Sequence, residues 1–406
     1  MKAFVFRTLL VCALAGVAAV ASAQEIADPA ETARFRWGPV RFTPSLEITN
    51  VGRDSNVFNE AQDPKTDFTA AFGPAVKLWV RPFGSRLSVR TGGQYLYFNE
   101  YEDQRAWNTN NEARWELPLA RLTPFVGGAF VNSRERAGYE IDARSRRRDR
   151  SYIVGSRLRV SGKTEFVGSF EREILEYDDK ETFVGAGLAE ALNRQEDASR
   201  VQFRYALTPL TTFVTDVVVG RDRFEGNSLR DSDSLKVMPG FELKPLALIS
   251  GTVFVGYKQF DPLDENVPAY TGVVAAVNAK YTYSATQLDL RVNRDVEYSF
   301  EASNPYYALL DYGLTVTERV TRHWDVLGQG SLQRLAYRSL ESGSALTPDA
   351  DRVDRGYIYG GGVGYRPNEA VRVGLNVMYS KRTSSQDLRN FTGTRIYGSI
   401  TYGLQQ

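Results

Sequence analysis

The chain has 406 residues, with 50 basic residues against 49 acidic and a formal net charge of +1. That balance leaves no electrostatic footprint for nucleic acid. One cysteine, Cys12, and one histidine, His323, exclude a disulfide framework, a zinc cluster and most thiol- or imidazole-based catalysis. What is plentiful, 22 Tyr, 22 Phe and 34 Gly spread along the whole length, suits many similar strands.

In chain order, the cationic Lys2 and Arg7 precede a small and apolar run, Thr8–Val20, and then Ala21-Ser22-Ala23. This reads as a Sec-type signal peptide over residues 1–23, cut near Ala23. A lipoprotein reading of Cys12 fails on the bulky Val11 before it. The apolar run is shorter than the roughly 20 residues a transmembrane helix needs, and no later stretch approaches that length. Residues 24–39 form a short periplasmic lead, too small for a plug, which touches a partner or stays disordered. Residues 40–406 then form an outer-membrane barrel.

The case for strands is a period of two. In Arg86–Tyr97, Leu87, Val89, Tyr95 and Tyr97 share one face, and Arg86, Ser88, Arg90 and Gln94 share the other. Val201, Phe203, Tyr205 and Leu207 oppose Gln202, Arg204 and Ala206; Leu288, Leu290 and Val292 oppose Asp289, Arg291 and Asn293; Val371, Val373, Leu375, Val377 and Tyr379 oppose Arg372, Gly374 and Asn376. A soluble sandwich alternates too, but its strands average five or six residues, and these segments are about twice as long. Connections also alternate between short and long. Short turns fall at Arg81–Gly84, Leu122–Pro124, Ser161–Thr164, Thr208–Thr211, Lys244–Leu246, Tyr283–Thr286, Val320–His323 and Arg366–Glu369. Longer polar loops fall around 51–66, 99–108, 138–150, 178–196, 225–232, 261–269, 300–305, 340–353 and 383–391. The expected fold is all-β, a transmembrane antiparallel up-and-down barrel of about 18 strands, with the turns periplasmic and the loops outside.

Aromatics near the loop ends (Tyr97, Trp107, Tyr152, Tyr177, Phe224, Phe260, Tyr270, Tyr298, Tyr337, Tyr379) and near the turn ends (Trp79, Phe125, Phe166, Phe213, Phe241, Tyr283, Trp324, Tyr365) read as two interfacial girdles. The polar face directed inward lines the lumen with Lys77, Arg90, Arg114, Arg157, Arg159, Arg204, Arg291, Arg372 and Arg395, beside Glu112, Glu116, Asp216, Glu242, Asp289 and Asp311. Opposite charges on neighbouring strands are expected to pair. The sharper reading is an arginine ladder that guides an anionic or sugar chain by forked hydrogen bonds, although no inward aromatic series stands out beside it. The basic run Arg144, Arg146, Arg147, Arg148 and Arg150 falls on an outside loop, where it meets lipopolysaccharide phosphate, solvent or an acidic polymer. It lacks the interleaved aromatics of a nucleic-acid site.

Phe42-Thr43-Pro44-Ser45-Leu46-Glu47-Ile48, followed by Asp54-Ser55-Asn56-Val57-Phe58, resembles the opening of the β-barrel porins found beside exopolysaccharide secretion genes. Glu171-Arg172-Glu173-Ile174-Leu175-Glu176-Tyr177 and Gly220-Arg221-Asp222-Arg223-Phe224 extend the likeness through most of the chain. The resemblance implies an outer-membrane pore that works with a periplasmic polysaccharide-export protein. Many outer-membrane barrels end in an aromatic residue, whereas this chain ends Tyr402-Gly403-Leu404-Gln405-Gln406, so Tyr402 stands in for it.

No enzyme or cofactor constellation is present. His323 lies in a turn beside Trp324, away from any nucleophile. Gly360-Gly361-Gly362-Val363-Gly364 lacks the following helix of a phosphate loop; its small residues suit a close strand approach or a bend. The first expectation is therefore a pore exporting a surface polysaccharide. A diffusion porin for small solutes and a structural or adhesive barrel are the alternatives.

Overall fold

Long alternating strands in hydrocarbon must satisfy every backbone donor and acceptor among themselves, and only a closed sheet does this. The computed structural model describes residues 30–31, 33–245, 248–340 and 352–403. The expected signal peptide and most of the expected 340–353 loop lie outside them. In chain order the strands are β1 (Phe35–Trp37), β2 (Val40–Asp54), β3 (Asp67–Val80), β4 (Arg86–Phe98), β5 (Ala106–Glu116), β6 (Leu122–Arg136), β7 (Arg144–Arg159), β8 (Thr164–Tyr177), β9 (Thr182–Phe183), β10 (Ala186–Gly187), β11 (Arg194–Thr208), β12 (Thr211–Phe224), β13 (Ser232–Leu243), β14 (Ile249–Pro262), β15 (Tyr270–Tyr283), β16 (Thr286–Tyr298), β17 (Tyr306–Arg319), β18 (Trp324–Arg338), β19 (Val353–Asn368), β20 (Val371–Thr383) and β21 (Phe391–Tyr402).

β2–β8 and β11–β21 form a closed 18-strand antiparallel barrel in which each strand pairs with the next in sequence. The ring shuts where Leu46 to Asp54 of β2 pair with Tyr402 to Arg395 of β21. Below the end of β21, β1 takes the vacant edge of β2, with Phe35 opposite Phe42 and Trp37 opposite Val40. Part of the N-terminal lead is thus a barrel-edge strand. β9 and β10 make a small hairpin in the fourth loop. No helix among the described residues is long and apolar enough to cross a membrane.

The two faces separate as the alternation demands. Val154, Val255, Leu375 and Ile396 are exposed on the outer wall, and their neighbours along each strand point inward. Trp107, Tyr152 and Tyr379 near the loops, and Phe166, Phe241, Tyr283, Trp324 and Tyr365 near the turns, are exposed outward as interfacial side chains. Phe213, opposite Phe241, shares this outward face, but other members of the expected girdles must be corrected. Phe125 is buried beneath the Arg114 guanidinium, and Trp79 shares the inner face with Lys77. Tyr177, Phe224, Phe260 and Tyr337 are buried inside the loop end of the barrel.

Two local devices position the interior. At Asn50, with φ 55°, β2 shifts register against both neighbours between Ile48 or Thr49 and Val51 or Gly52. This bulge reverses the parity of the remaining strand and turns Asp54 inward. In β19, the inward glycines leave a trough that neighbouring side chains fill. A Cβ at Gly360 would meet Gln329 Nε2 at 2.8 Å and one at Gly356 would meet Gln333 Oε1 at 2.8 Å, while Asn376 and Arg372 occupy the space over Gly362 and Gly364.

Candidate functional site: lumen and mouth

Most of the expected lumen residues sit in ion pairs along the inner wall. Arg114 bonds Glu116 at 2.8 Å, Arg157 meets Glu165 at 3.2 Å, and Arg291 bonds Asp311 at 3.1 Å. Arg204 donates to Glu242 at 2.8 Å and approaches Glu165 at 3.5 Å. Arg372 and Arg366 converge on Asp325 at 2.7 and 2.6 Å. Arg395 donates to Asp54 at 3.0 Å. Asp216 accepts from Gln202 at 3.1 Å with Arg200 at 3.4 Å, and Asp289 accepts from Gln287 at 2.6 Å. Lys77 stands opposite Arg90, and Arg90 opposite Glu112. Arg159 is exposed at the turn rim, opposite Glu165. The wall carries both signs, interleaved, which fits pairing better than a bare arginine ladder. Parity alone gave the cations. Their partners Glu165, Asp325 and Asp54 were overlooked, although Glu165 and Asp325 share the inward parity; only Asp54 is hidden by the bulge.

The basic run requires a correction, because Arg144, Arg146, Arg147, Arg148 and Arg150 all lie in β7 and not in a loop. Arg147 points inward and meets Asp149 at 3.1 Å. Arg146 and Arg148 are exposed on the outer rim, and Arg150 pairs with Glu176. Arg144 reaches back to the first loop.

The true third loop, residues 137–143, crosses the barrel. It leaves from β6 and β7, the fifth and sixth strands of the ring, and docks on β17 and β18, the fourteenth and fifteenth, so it spans a diameter. Tyr139 Oη donates to Asp311 Oδ2 at 3.1 Å, and its ring packs on the cluster of Tyr307, Leu309, Leu335 and Tyr337. Glu140, 2% exposed, accepts from Ser299 Oγ at 2.7 Å and from the Phe300 amide at 3.1 Å. Arg382 donates to the Tyr139 and Glu140 carbonyls at 3.2 and 3.1 Å and to Asp142 at 2.8 Å; Arg389 donates to the Glu140 carbonyl at 2.7 Å. Burial holds the Glu140 carboxyl above the ordinary glutamate range against the opposing pull of Arg389, and burial likewise raises the Tyr139 phenol. The loop's base is tied to the first loop, where Arg136 and Arg144 both donate to the Val57 carbonyl at 2.7 Å. Val57 belongs to the Asp54–Phe58 segment, so that motif is the anchor of the crossing loop.

Above this crossing the mouth is closed by apolar packing. Ile141, Tyr177, Leu188, Ala191, Leu192, Phe224 and Phe300 form one buried cluster, supplied by three loops and the strand tips beneath them. Gly226 lies so close to the Glu190 backbone that no Cβ fits between them, which lets the fifth loop press on the fourth. Arg230, whose guanidinium burial brings down to about 10, donates to the carbonyls of Ser299 at 2.7 Å and Phe300 at 2.9 Å. Cations line the underside of this lid over aromatic faces: Arg144 over Phe98 at 4.6 Å, Arg147 over Tyr177 at 5.6 Å, Arg194 over Tyr298 at 5.3 Å and Arg352 over Tyr337 at 3.6 Å. An inward aromatic series therefore exists, contrary to the expectation. Its signal was parity: Phe224 is in phase with Asp222 and Asp216, and Tyr177 with Glu173 and Glu165. Below the lid the lumen holds a cavity of about 1080 Å³ that reaches from Tyr139 and Arg382 to Ser250 and Lys280 near the turns.

A closed barrel with an aqueous, ion-paired bore has the form of a channel. The family model described as "Putative beta-barrel porin 2" matches residues 28–403. The chain belongs to this β-barrel porin family. Porins of this kind are channels of the outer membrane and not enzymes. Among solved structures, the porin is similar to OccK2 (OpdF) of Pseudomonas aeruginosa, with 10% identity over 90% of this chain and 98% of that one and a TM-score of 0.50. It also resembles OpdK of the same organism, solved with vanillate, at 8% identity over 89% and 98% and a TM-score of 0.46. The FrpB iron transporter of Neisseria meningitidis matches at 9% identity over 84% of this chain and 62% of its own, with a TM-score of 0.44. No curated protein matches the porin by sequence.

Proposed function

We propose that this porin is a gated pore through which a surface polysaccharide leaves the cell, fed by a periplasmic export protein. The observation that carries the reading is the place of the barrier. The lumen cavity reaches Ser250 and Lys280 near the turns, whereas a segment docked across the barrel and the apolar packing above it stand over the loop end. A diffusion porin for small solutes works through a standing aqueous path, while a polymer pushed from below meets a lid made of loops that can swing outward. The underside of that lid suits a carbohydrate, since guanidinium forks hydrogen-bond hydroxyls and carboxylates and aromatic faces stack on sugar rings.

Deleting the gene and measuring surface polysaccharide tests this directly. Loss of polymer, restored by the wild-type gene, supports export. Unchanged polymer with impaired uptake of a small solute establishes the diffusion porin instead, and an absence of conductance under any condition points to a structural barrel.

A further inference from the structure

Around most of the outer rim, outward arginines are accompanied by carboxylates. Arg150 pairs with Glu176, Arg172 with Asp197 at 2.7 Å, and Arg223 with Asp233 at 2.7 Å. The wall formed by β16–β20 differs. Arg294, Arg334, Arg355 and Lys381 are exposed there at the loop end, on the face opposite the lumen. Arg294 lies opposite Leu310, Leu310 opposite Arg334, and Arg334 directly opposite Arg355, so three guanidiniums share one row; Lys381 lies one step lower, opposite Tyr357. None of the four head groups makes a hydrogen bond or ion pair with a described residue. Among the outward positions of these strands the one carboxylate is Glu318, at the turn end.

Like charges directly opposite in an antiparallel pair destabilise it, with Cβ atoms about 5 Å apart. The row lies immediately above outward tyrosines, Tyr312, Tyr357, Tyr359 and Tyr379, which mark the depth of the membrane interface. Cations at that depth face the headgroups of the outer leaflet. We propose that this face binds the phosphorylated headgroup of an outer-leaflet glycolipid, with Arg334 and Arg355 sharing one phosphate and Arg294 and Lys381 flanking it. A phosphate between two guanidiniums replaces their repulsion with charge-assisted, forked hydrogen bonds, and the tyrosines below receive the first part of the acyl chains. The ladder thus tolerates Arg334 opposite Arg355 because the compensating charge comes from lipid.

The test titrates the full-length folded porin in neutral detergent with bisphosphorylated lipid A, with the same lipid stripped of its phosphates, and with inorganic phosphate, and counts bound lipid by native mass spectrometry. Phosphorylated lipid should bind in preference to both other probes. The double variant R334Q/R355Q should bind it about tenfold or more weakly, while R322Q in a turn binds as the parent does. Heat-modifiable electrophoretic mobility reports folding. If the glutamine pair does not fold, R334K/R355K keeps the charge without the fork and should show a smaller loss. Equal binding of the dephosphorylated lipid, competition by inorganic phosphate at equal concentration, or undiminished binding by both double variants would overturn the proposal.

Discussion

The Glu140 latch is the point at which a single side chain should control the pore. Glu140→Ala removes the acceptor for Ser299 Oγ and the Phe300 amide and leaves both donors in a buried site. Losing bonds of this kind costs about 1–3 kcal/mol each, so the docked loop should weaken by about 2–6 kcal/mol. At roughly 1.4 kcal/mol per factor of ten, the ratio of open to closed channels rises roughly 30- to 20,000-fold. Tyr139, Arg382 and Arg389 still hold the loop, so this variant should flicker, whereas deletion of 138–142 should remain open. Single-channel recording in planar bilayers reads open probability and mean conductance. If both variants fold as barrels and conduct like the parent, the loop does not gate the pore.

Three further outcomes follow from the same contacts. Because burial raises the Glu140 carboxyl, the docked loop holds its proton more tightly than the free loop; docking is strongest below the ordinary glutamate value of about 4.3 and weakens as pH rises through the raised one. Open probability should climb with pH across that window and Glu140→Gln should flatten the slope; a fall with rising pH, or an unchanged slope in the variant, would refute this. Arg204→Ala removes the partner of Glu242 and one of the two ion-pair partners of Glu165 on the inner wall and should cost about 3–5 kcal/mol in urea unfolding from lipid vesicles, whereas the exposed Arg172→Ala should leave stability nearly unchanged; equal losses would contradict the assignment. Gly362→Val pushes into Asn376 on the crowded inner face and should lose about 1–3 kcal/mol in the same assay, while Gly361→Val, with its nearest neighbour 3.4 Å away, should be tolerated.

The barrel was legible because hydrocarbon and water impose a period of two on every strand, and most residues between Arg86 and Tyr97 or between Val371 and Tyr379 display it. The mouth was not. Tyr177, Phe224, Phe260 and Tyr337 were placed by their nearness to strand ends, and position along a strand does not say which way a ring points; parity does. The run from Arg144 to Arg150 concealed a strand because its pairing rests on the β6 and β8 ladders and not on apolar side chains. Nothing in a seven-residue segment such as 137–143 states which wall it will reach. That distance is fixed only when the ring closes and brings Asp311 and Arg382 opposite the β6–β7 hairpin.

The central claim is a water-filled bore sealed from outside by packed loops, with 137–143 as the segment that crosses the bore. Its most direct test uses Thr315→Cys, which lines the cavity below Tyr139, in the porin whose only native cysteine is Cys12. A membrane-impermeant maleimide added to whole cells should leave this cysteine unlabelled, and should label it readily once 138–142 are deleted, while the lipid-facing Leu375→Cys stays unlabelled throughout. Rapid outside labelling of Thr315→Cys with the loop intact, or no labelling after its removal, would contradict the account.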